Sequence, residues 1–298
     1  MVVDTRALST LETVIRRGSF AAAARELGFT PSAVSQQMFA LERRLSIALF
    51  DRRAKMIVPT EAALHLRDRA DEVLTLLNQI EIDIARLGAG QLGRLRVGTF
   101  DSAGGPILGQ AMARFLVRRR EVEITLDEGE PYELFPRVAD GSLDVALGFK
   151  YDLVPPQFPD NLLLQSVTAE NLYIVASDKH RLLAKDVIDF NDLADETWVA
   201  HRSETASYQC LSSLCGLHGF SPRVAFRSNN LGTVQGIVAA DLGLALIPEI
   251  ALRQNPNVTA LSINQEMPKR HIVSARRKND NNPLTDAFIE ALRAAAHT

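Results

Sequence analysis

Cysteine is scarce in this chain and long apolar runs are missing. Two of the 298 residues are cysteine, Cys210 and Cys215, so a disulfide framework is excluded. Both fall in a stretch of helical pattern, where a spacing of five residues turns their side chains about 140° apart. They read as small, semi-buried residues of a reduced compartment rather than a redox pair. No apolar stretch approaches the roughly 18–20 residues that span a bilayer. The opening Met1-Val2-Val3-Asp4 lacks the basic-then-apolar pattern of a secretory signal. These absences predict a cytoplasmic protein with no membrane partner. The six histidines form no cluster at metal-ligand spacing, and there is no G-x-S-x-G elbow or phosphate-binding glycine loop. No metal, cofactor or catalytic residue is therefore expected, and the chain does not read as an enzyme.

What is present is a globular composition, 46% apolar and 23% charged, too long for one core and suited to two or three domains. The net charge of −3 argues against nucleic acid, but its distribution does not. Residues 1–60 hold nine basic and five acidic side chains, leaving +4 there and −7 on the rest. That asymmetry suits a basic module meeting phosphate, carried on an acidic body.

Three regions differ in pattern. In residues 1–59, Leu8, Leu11, Val14 and Ile15 stripe a first helix that stops at Gly18. Ser19 caps a second, Gly28-Phe29 breaks it, and Thr30 caps a third with Pro31 at its first position. Val34, Met38, Leu41 and Leu45 form the inner face of that helix, and Asp51 to Val58 reads as a small hairpin. In residues 60–90, Leu66, Ala70, Val73, Leu77, Ile80, Ile84 and Leu87 recur with alternating spacings of four and three. That 3.5-residue period is the seam of a two-chain coiled coil, on a helix roughly 40 Å long. Gly88-Ala89-Gly90 ends it as a hinge.

Residues 91–298 alternate strands and helices. Strands are expected at Leu95–Thr99, Val122–Leu126, Leu143–Phe149, Tyr173–Ala176, Thr197–Ala200, 223–227, Leu244–Ile247, 258–263 and 271–275. Helices are expected at 103–119, 205–217, 231–240 and from Leu284. This pattern predicts an α/β region of mostly parallel sheets. A Pro-rich link near 154–159 splits it into two lobes, one of about 91–160 with 269–298, the other about 161–268.

The stretch Ser19 to Gln37 carries the physics of a helix-turn-helix. Ala23 and Ala24 let two helices cross closely, Gly28 serves the turn, and Val34 locks the second helix on the first. Pro31 opens the outward side, which Ser32, Ser35, Gln36 and Phe39 share; hydroxyls and an amide there suit base edges in a major groove. Arg43, with Arg44, and Arg52, Arg53 and Lys55 of the basic hairpin are candidates for phosphate.

The run from Leu8 through Leu66 resembles the N-terminal domain of the LysR-type transcriptional regulators. Ser19 to Gln37, Leu41-Glu42, Leu49-Phe50-Asp51-Arg52 and Pro59-Thr60-Glu61-Ala62 stand at that family's spacing. Later matches are Arg96-Val97-Gly98, Gly141 to Ala146 and Val238 to Pro248. The resemblance implies a winged helix-turn-helix, a long linker helix that dimerises, and a two-lobed C-terminal domain similar to periplasmic binding proteins, with a small-molecule effector between the lobes. It implies a homodimer or homotetramer on double-stranded promoter DNA, with RNA polymerase a further partner if the protein activates. Ser46 and Asp241 stand where that family often has Gly, as does Ala63, while Phe39 and Ala40 replace more polar residues.

Ligands of open α/β sheets bind beyond the carboxyl ends of strands. That nominates Thr99, Phe100, Asp101 and Ser102, then Glu130, Phe149, His201, Arg202 and Ser203. Asn229 and Asn230 precede a helix whose amides suit an anion. Arg202, His201 and the hydroxyls favour an organic acid; Asp101 and Glu130 favour a cationic or hydroxyl-rich ligand. The alternative function is a ligand-independent architectural DNA-binding protein.

Overall fold

The computed structural model describes residues 4–51, 57–252 and 255–296. The chain divides into two compact bodies, Met1–Arg86 and Leu87–Thr298.

The first body begins with three short helices, α1 (Thr5–Arg17), α2 (Phe20–Leu27) and α3 (Pro31–Leu45). Each has its own N-terminal acceptor: Asp4 takes the N–H of Arg6, Ser19 that of Ala22, and Thr30 that of Ala33. Such caps satisfy amides that the first helical turn leaves unbonded. α1 and α2 end at Gly18 and Gly28, both left-handed (φ 68° and 69°), which glycine adopts without strain. Leu11, Val14, Ala23, Ala24, Val34, Met38 and Leu41 pack into one buried core, with alanine at the close crossing as the sequence predicts. Two short antiparallel strands follow, β1 (Phe50–Asp51) and β2 (Val58–Pro59). Glu42 Oε1 accepts the N–H groups of Leu49 (2.8 Å) and Phe50 (3.2 Å), tying the ribbon to α3. Helix α4 (Glu61–Gly88) starts from Thr60, whose hydroxyl accepts the Ala63 N–H.

The second body holds a seven-stranded sheet. β3 (Leu92–Thr99) lies parallel to β4 (Glu121–Glu128) and to β5 (Val145–Tyr151). β6 (Leu162–Ser177) and β11 (Lys269–Arg277) run antiparallel to each other, and β11 also runs antiparallel to β5. A separate parallel pair joins β7 (Thr197–Ala200) and β8 (Arg223–Arg227). β9 (Ala245–Pro248) and β10 (Val258–Ala260) pair antiparallel with the second half of β6. The sheet is therefore mixed rather than mostly parallel. Hydrophobic periodicity reports burial of a strand but not its direction, and β11 runs antiparallel to both of its neighbours, β5 and β6.

Three further differences have local causes. The helix expected over 103–119 is three pieces: α5 (Asp101–Ala103), a wide π-type turn at Gly104–Gly109, and α6 (Gln110–Val117). Three glycines and Pro106, which has no N–H to give, sit in that turn. The strand expected at Tyr173–Ala176 is only the end of the 16-residue β6, whose first half carries Gln165, Glu170 and Asn171 and so hides its pattern. Leu162 to Asn171 pair with β11 and Leu172 to Ser177 with β9 and β10, so the change of sheet partner comes inside β6, some ten residues after the division expected near residue 161.

The remaining helices are α7 (Pro131–Ala139), α8 (Ala206–Leu217), α9 (Leu231–Ala239), α10 (Glu249–Leu252) and α11 (Pro283–Ala296). α7 presses so closely on β5 that a Cβ at Gly148 would overlap the Phe135 ring. The cysteines are fully buried rather than semi-buried, Cys210 in the core that contains Phe115 and Phe288, Cys215 in the core around Trp198. Burial pushes both thiols up to about 12, so they stay protonated and unreactive.

Candidate DNA interface and effector cleft

On α3 the expected reading residues share one outward side. Pro31, Ser32, Gln36 and Phe39 are exposed, Ser35 is half-buried, and Phe39 keeps 49% of its surface. The neighbouring amide is not available: Gln37 Oε1 accepts the Thr10 hydroxyl at 2.9 Å and so holds α3 to α1. Arg43 is exposed. Arg52, Arg53 and Lys55 lie outside the described residues. Part of the basic excess is spent internally, because Arg16 bonds Glu12 (2.8 Å) and Glu26 (2.7 Å), and Arg17 bonds Glu26 as well.

The seam of α4 is open from its second third onward. Val73, Leu77, Ile80 and Ile84 are exposed, and so are Leu76 and Ile82 off the seam, which widens the apolar surface beyond one heptad stripe. Leu66 and Ala70 depart from the expectation. Leu66 packs against the helix-turn-helix core, and Ala70 is 2% exposed within the single chain.

In the second body, the strand ends converge as the topology rule requires. Phe100, Asp101 and Ser102 after β3, Glu130 after β4, Phe149 on β5, and His201 and Asn229 line one cavity. Arg202 and Asn230 line the adjoining hollow with Asp101 and Glu130. Two candidates fall outside. Thr99 is buried, with a hydroxyl that has no hydrogen-bond partner, and Ser203 is exposed, its hydroxyl on Glu204.

The floor of the cavity is a residue that sequence reasoning missed. Arg270, on β11, is 3% exposed. Its guanidinium meets Glu170 at 2.6 Å and donates to Ser102 Oγ at 2.9 Å. It also lies over the Phe100 and Phe149 rings, at 5.1 and 5.2 Å from their centroids. The bonds to Glu170 and Ser102 use Nε and Nη2. In the sequence Arg270 stands between Lys269 and His271 and is unremarkable; its burial sets it apart, since a buried charge is costly unless paired.

The nearby acids are not free counter-charges. Burial, reinforced by Glu133, pushes the Glu130 carboxyl up to about 7. Burial and the Arg270 charge hold His201 down to about 4, so it is neutral at pH 7. Asp101 Oδ2 accepts the Leu231 N–H at 3.3 Å, and Asn230 Oδ1 accepts the Thr233 N–H at 2.8 Å. The anion site expected at the start of α9 is thus filled by the chain's own carboxylate and amide. Asn229 is likewise engaged, accepting the Arg202 N–H at 3.0 Å.

The LysR substrate binding domain matches residues 88–297, and the bacterial regulatory helix-turn-helix protein of the lysR family matches residues 5–64. The chain belongs to the LysR family. This LysR-type chain is a DNA-binding transcriptional regulator with an effector-binding domain, and not an enzyme. It is similar to the malonate utilization transcriptional regulator of Klebsiella pneumoniae, 27% identical over 256 residues, which is 83% of this chain and 79% of that protein. It is also 27% identical over 296 residues to the regulator MetR of Escherichia coli, covering 98% and 90%. In fold it matches full-length CbnR complexed with its target DNA, with a TM-score of 0.73 and 22% identity over 99% of this chain and all of that one. Among the described residues no helix is long and apolar enough to cross a membrane.

Proposed function

We propose that this LysR-type regulator works in the cytoplasm, reads promoter DNA through Pro31, Ser32, Ser35, Gln36 and Phe39, and responds to a small organic acid in the cleft above Arg270. Arg43, Arg52, Arg53 and Lys55 meet phosphate. A homodimer or homotetramer forms along the apolar surface of α4, and RNA polymerase is the further partner if the regulator activates. The cleft lies between two lobes, with β6 contributing its first half to one and its second half to the other. A ligand shifts the lobes only by binding one arrangement better than the other.

The observation that carries the organic acid is Arg270, a buried cation beside the Ser102 hydroxyl at the floor of the cavity. The two carboxylates that would favour a cation are disarmed, Glu130 by its raised pKa and Asp101 by the start of α9. The relative named for malonate utilization supports the same chemistry.

Titration calorimetry on the full chain tests this, comparing carboxylates with amines of matched size. Heat with acids and none with amines is the expected result. Binding of amines alone overturns the proposal, and a promoter footprint indifferent to every bound acid favours the architectural alternative.

A further inference from the structure

The cleft does not end above Arg270. A second cavity adjoins it, and the two share the walls Glu130, Phe149 and Tyr151. Their characters differ. The inner cavity has Ser102, His201 and Arg270. The second is walled mainly by the apolar groups Tyr132, Val154, Pro155, Phe158 and Ala206, with Lys150, Gln157, Glu204 and Gln209 also in its lining. At the Tyr151 wall common to both, the Tyr151 and Ser207 hydroxyls meet at 2.8 Å. Phe149, the other shared ring, stands edge-on to Tyr151 at 5.5 Å and to Phe100 at 4.9 Å.

The charges around these cavities limit the number of anionic groups a ligand can carry. The inner cavity holds one cation, and Glu170 already offsets much of it. Besides Asp101 and Glu130, the hollow outside is lined by Glu128 and Glu133 against the cation Arg202. A second carboxylate on a short ligand would point into that acidic hollow or into the second cavity, where Lys150 is accompanied by Glu204, and neither favours another negative charge.

We infer that the effector is an aromatic monocarboxylate, its carboxylate over Arg270 and Ser102 and its ring in the apolar cavity beside Phe149. This inference rests on the organic-acid reading and narrows it. A ring offers faces and edges to Tyr132, Phe149 and Phe158, the arrangement aromatic groups prefer. Arg270 fixes orientation, and the apolar wall supplies the affinity that short acids cannot reach.

Calorimetry on the full chain with benzoate, phenylacetate, acetate, malonate and benzylamine tests it. Either aromatic acid should bind at least tenfold more tightly than acetate or malonate. Ala206→Trp, which fills the apolar cavity, should erase that advantage and leave acetate binding unchanged. Val154→Trp fills the same space from the other side and replaces the first variant if its thermal melt shows misfolding. Arg270→Gln should weaken every acid. Malonate or acetate binding as tightly as the aromatic acids overturns this inference while the organic-acid reading stands, and so does an aromatic advantage that survives both tryptophan variants. Binding of benzylamine with no binding of any acid overturns both.

Discussion

The Asp101 carboxylate accepts a hydrogen bond from the Leu231 backbone N–H, two residues 130 positions apart in the chain. The loop after β3 thereby supplies an anion to the positive end of α9. Asp101→Asn keeps an acceptor and loses the charge, and should cost about 0.5 kcal/mol; Asp101→Ala loses both and should cost about 1 kcal/mol. Urea unfolding of the full chain measures the order, and equal losses would remove the charge from the account.

Gln36 and Gln37 are adjacent but face different tasks. Gln36→Ala should lower affinity for the cognate site by about 1–3 kcal/mol while barely changing affinity for random duplex. Gln37→Ala, which releases the Thr10 hydroxyl, should lower stability by about 1 kcal/mol. Fluorescence anisotropy at fixed salt, paired with thermal melts, separates the two.

Glu130 and His201 oppose each other in pH. With its carboxyl raised from 4.5 to about 7, Glu130 keeps its proton when folded and loses it when unfolded, so its contribution to stability falls as pH rises through that window. His201, lowered from 6.5 to about 4, makes stability fall as pH drops through its own window. Glu130→Gln should therefore stabilise at pH 8, by up to about 3 kcal/mol, and little at pH 4.5. His201→Gln should help at pH 4.5 and not at pH 8. Acids should bind more tightly below pH 7, where Glu130 is protonated, and calorimetry across pH checks this.

Among the described residues, two that are not glycine hold left-handed backbone, Ser46 (φ 55°) and Asp241 (φ 60°). Ser46→Gly should relieve that strain and stabilise by about 0.5–1 kcal/mol. Asp241→Gly should not, because the Asp241 carboxylate accepts the Ser177 hydroxyl at 2.6 Å. Leaving a buried hydroxyl without its partner costs about 1–3 kcal/mol. Thermal melts of both variants decide it.

Ile80 and Ile84 retain 50% and 63% of their surface in the single chain. Ile80→Glu combined with Ile84→Glu should leave a folded monomer at micromolar concentration, because two charges on an apolar seam would be buried without partners. Sedimentation velocity reads the result, and an unchanged oligomer would take this part of α4 out of the interface.

The helix-turn-helix was legible because its determinants are local. Asp4, Ser19, Thr30 and Pro31 each act within three residues of where they stand, and the alanine pair and the two glycines need only their own turn. The strand-end residues of the cleft were legible for a different reason, since sheet topology places them together. Arg270, Glu170 and Tyr151 were not, because their pairing depends on the register of β11 against β6 and β5, over separations near 100 residues. Leu66 and Ala70 show the converse failure. A heptad spacing says that a stripe is apolar, and only the folded chain says that its first two members are already covered.

The strand β6 crosses from the partners β11 to the partners β9 and β10 without a break. Cutting the domain anywhere near residue 161 would strip one fragment of a sheet neighbour and leave the other trailing an unsatisfied ribbon. The two lobes should therefore melt as one cooperative body, and neither should be recoverable as an independent folding module.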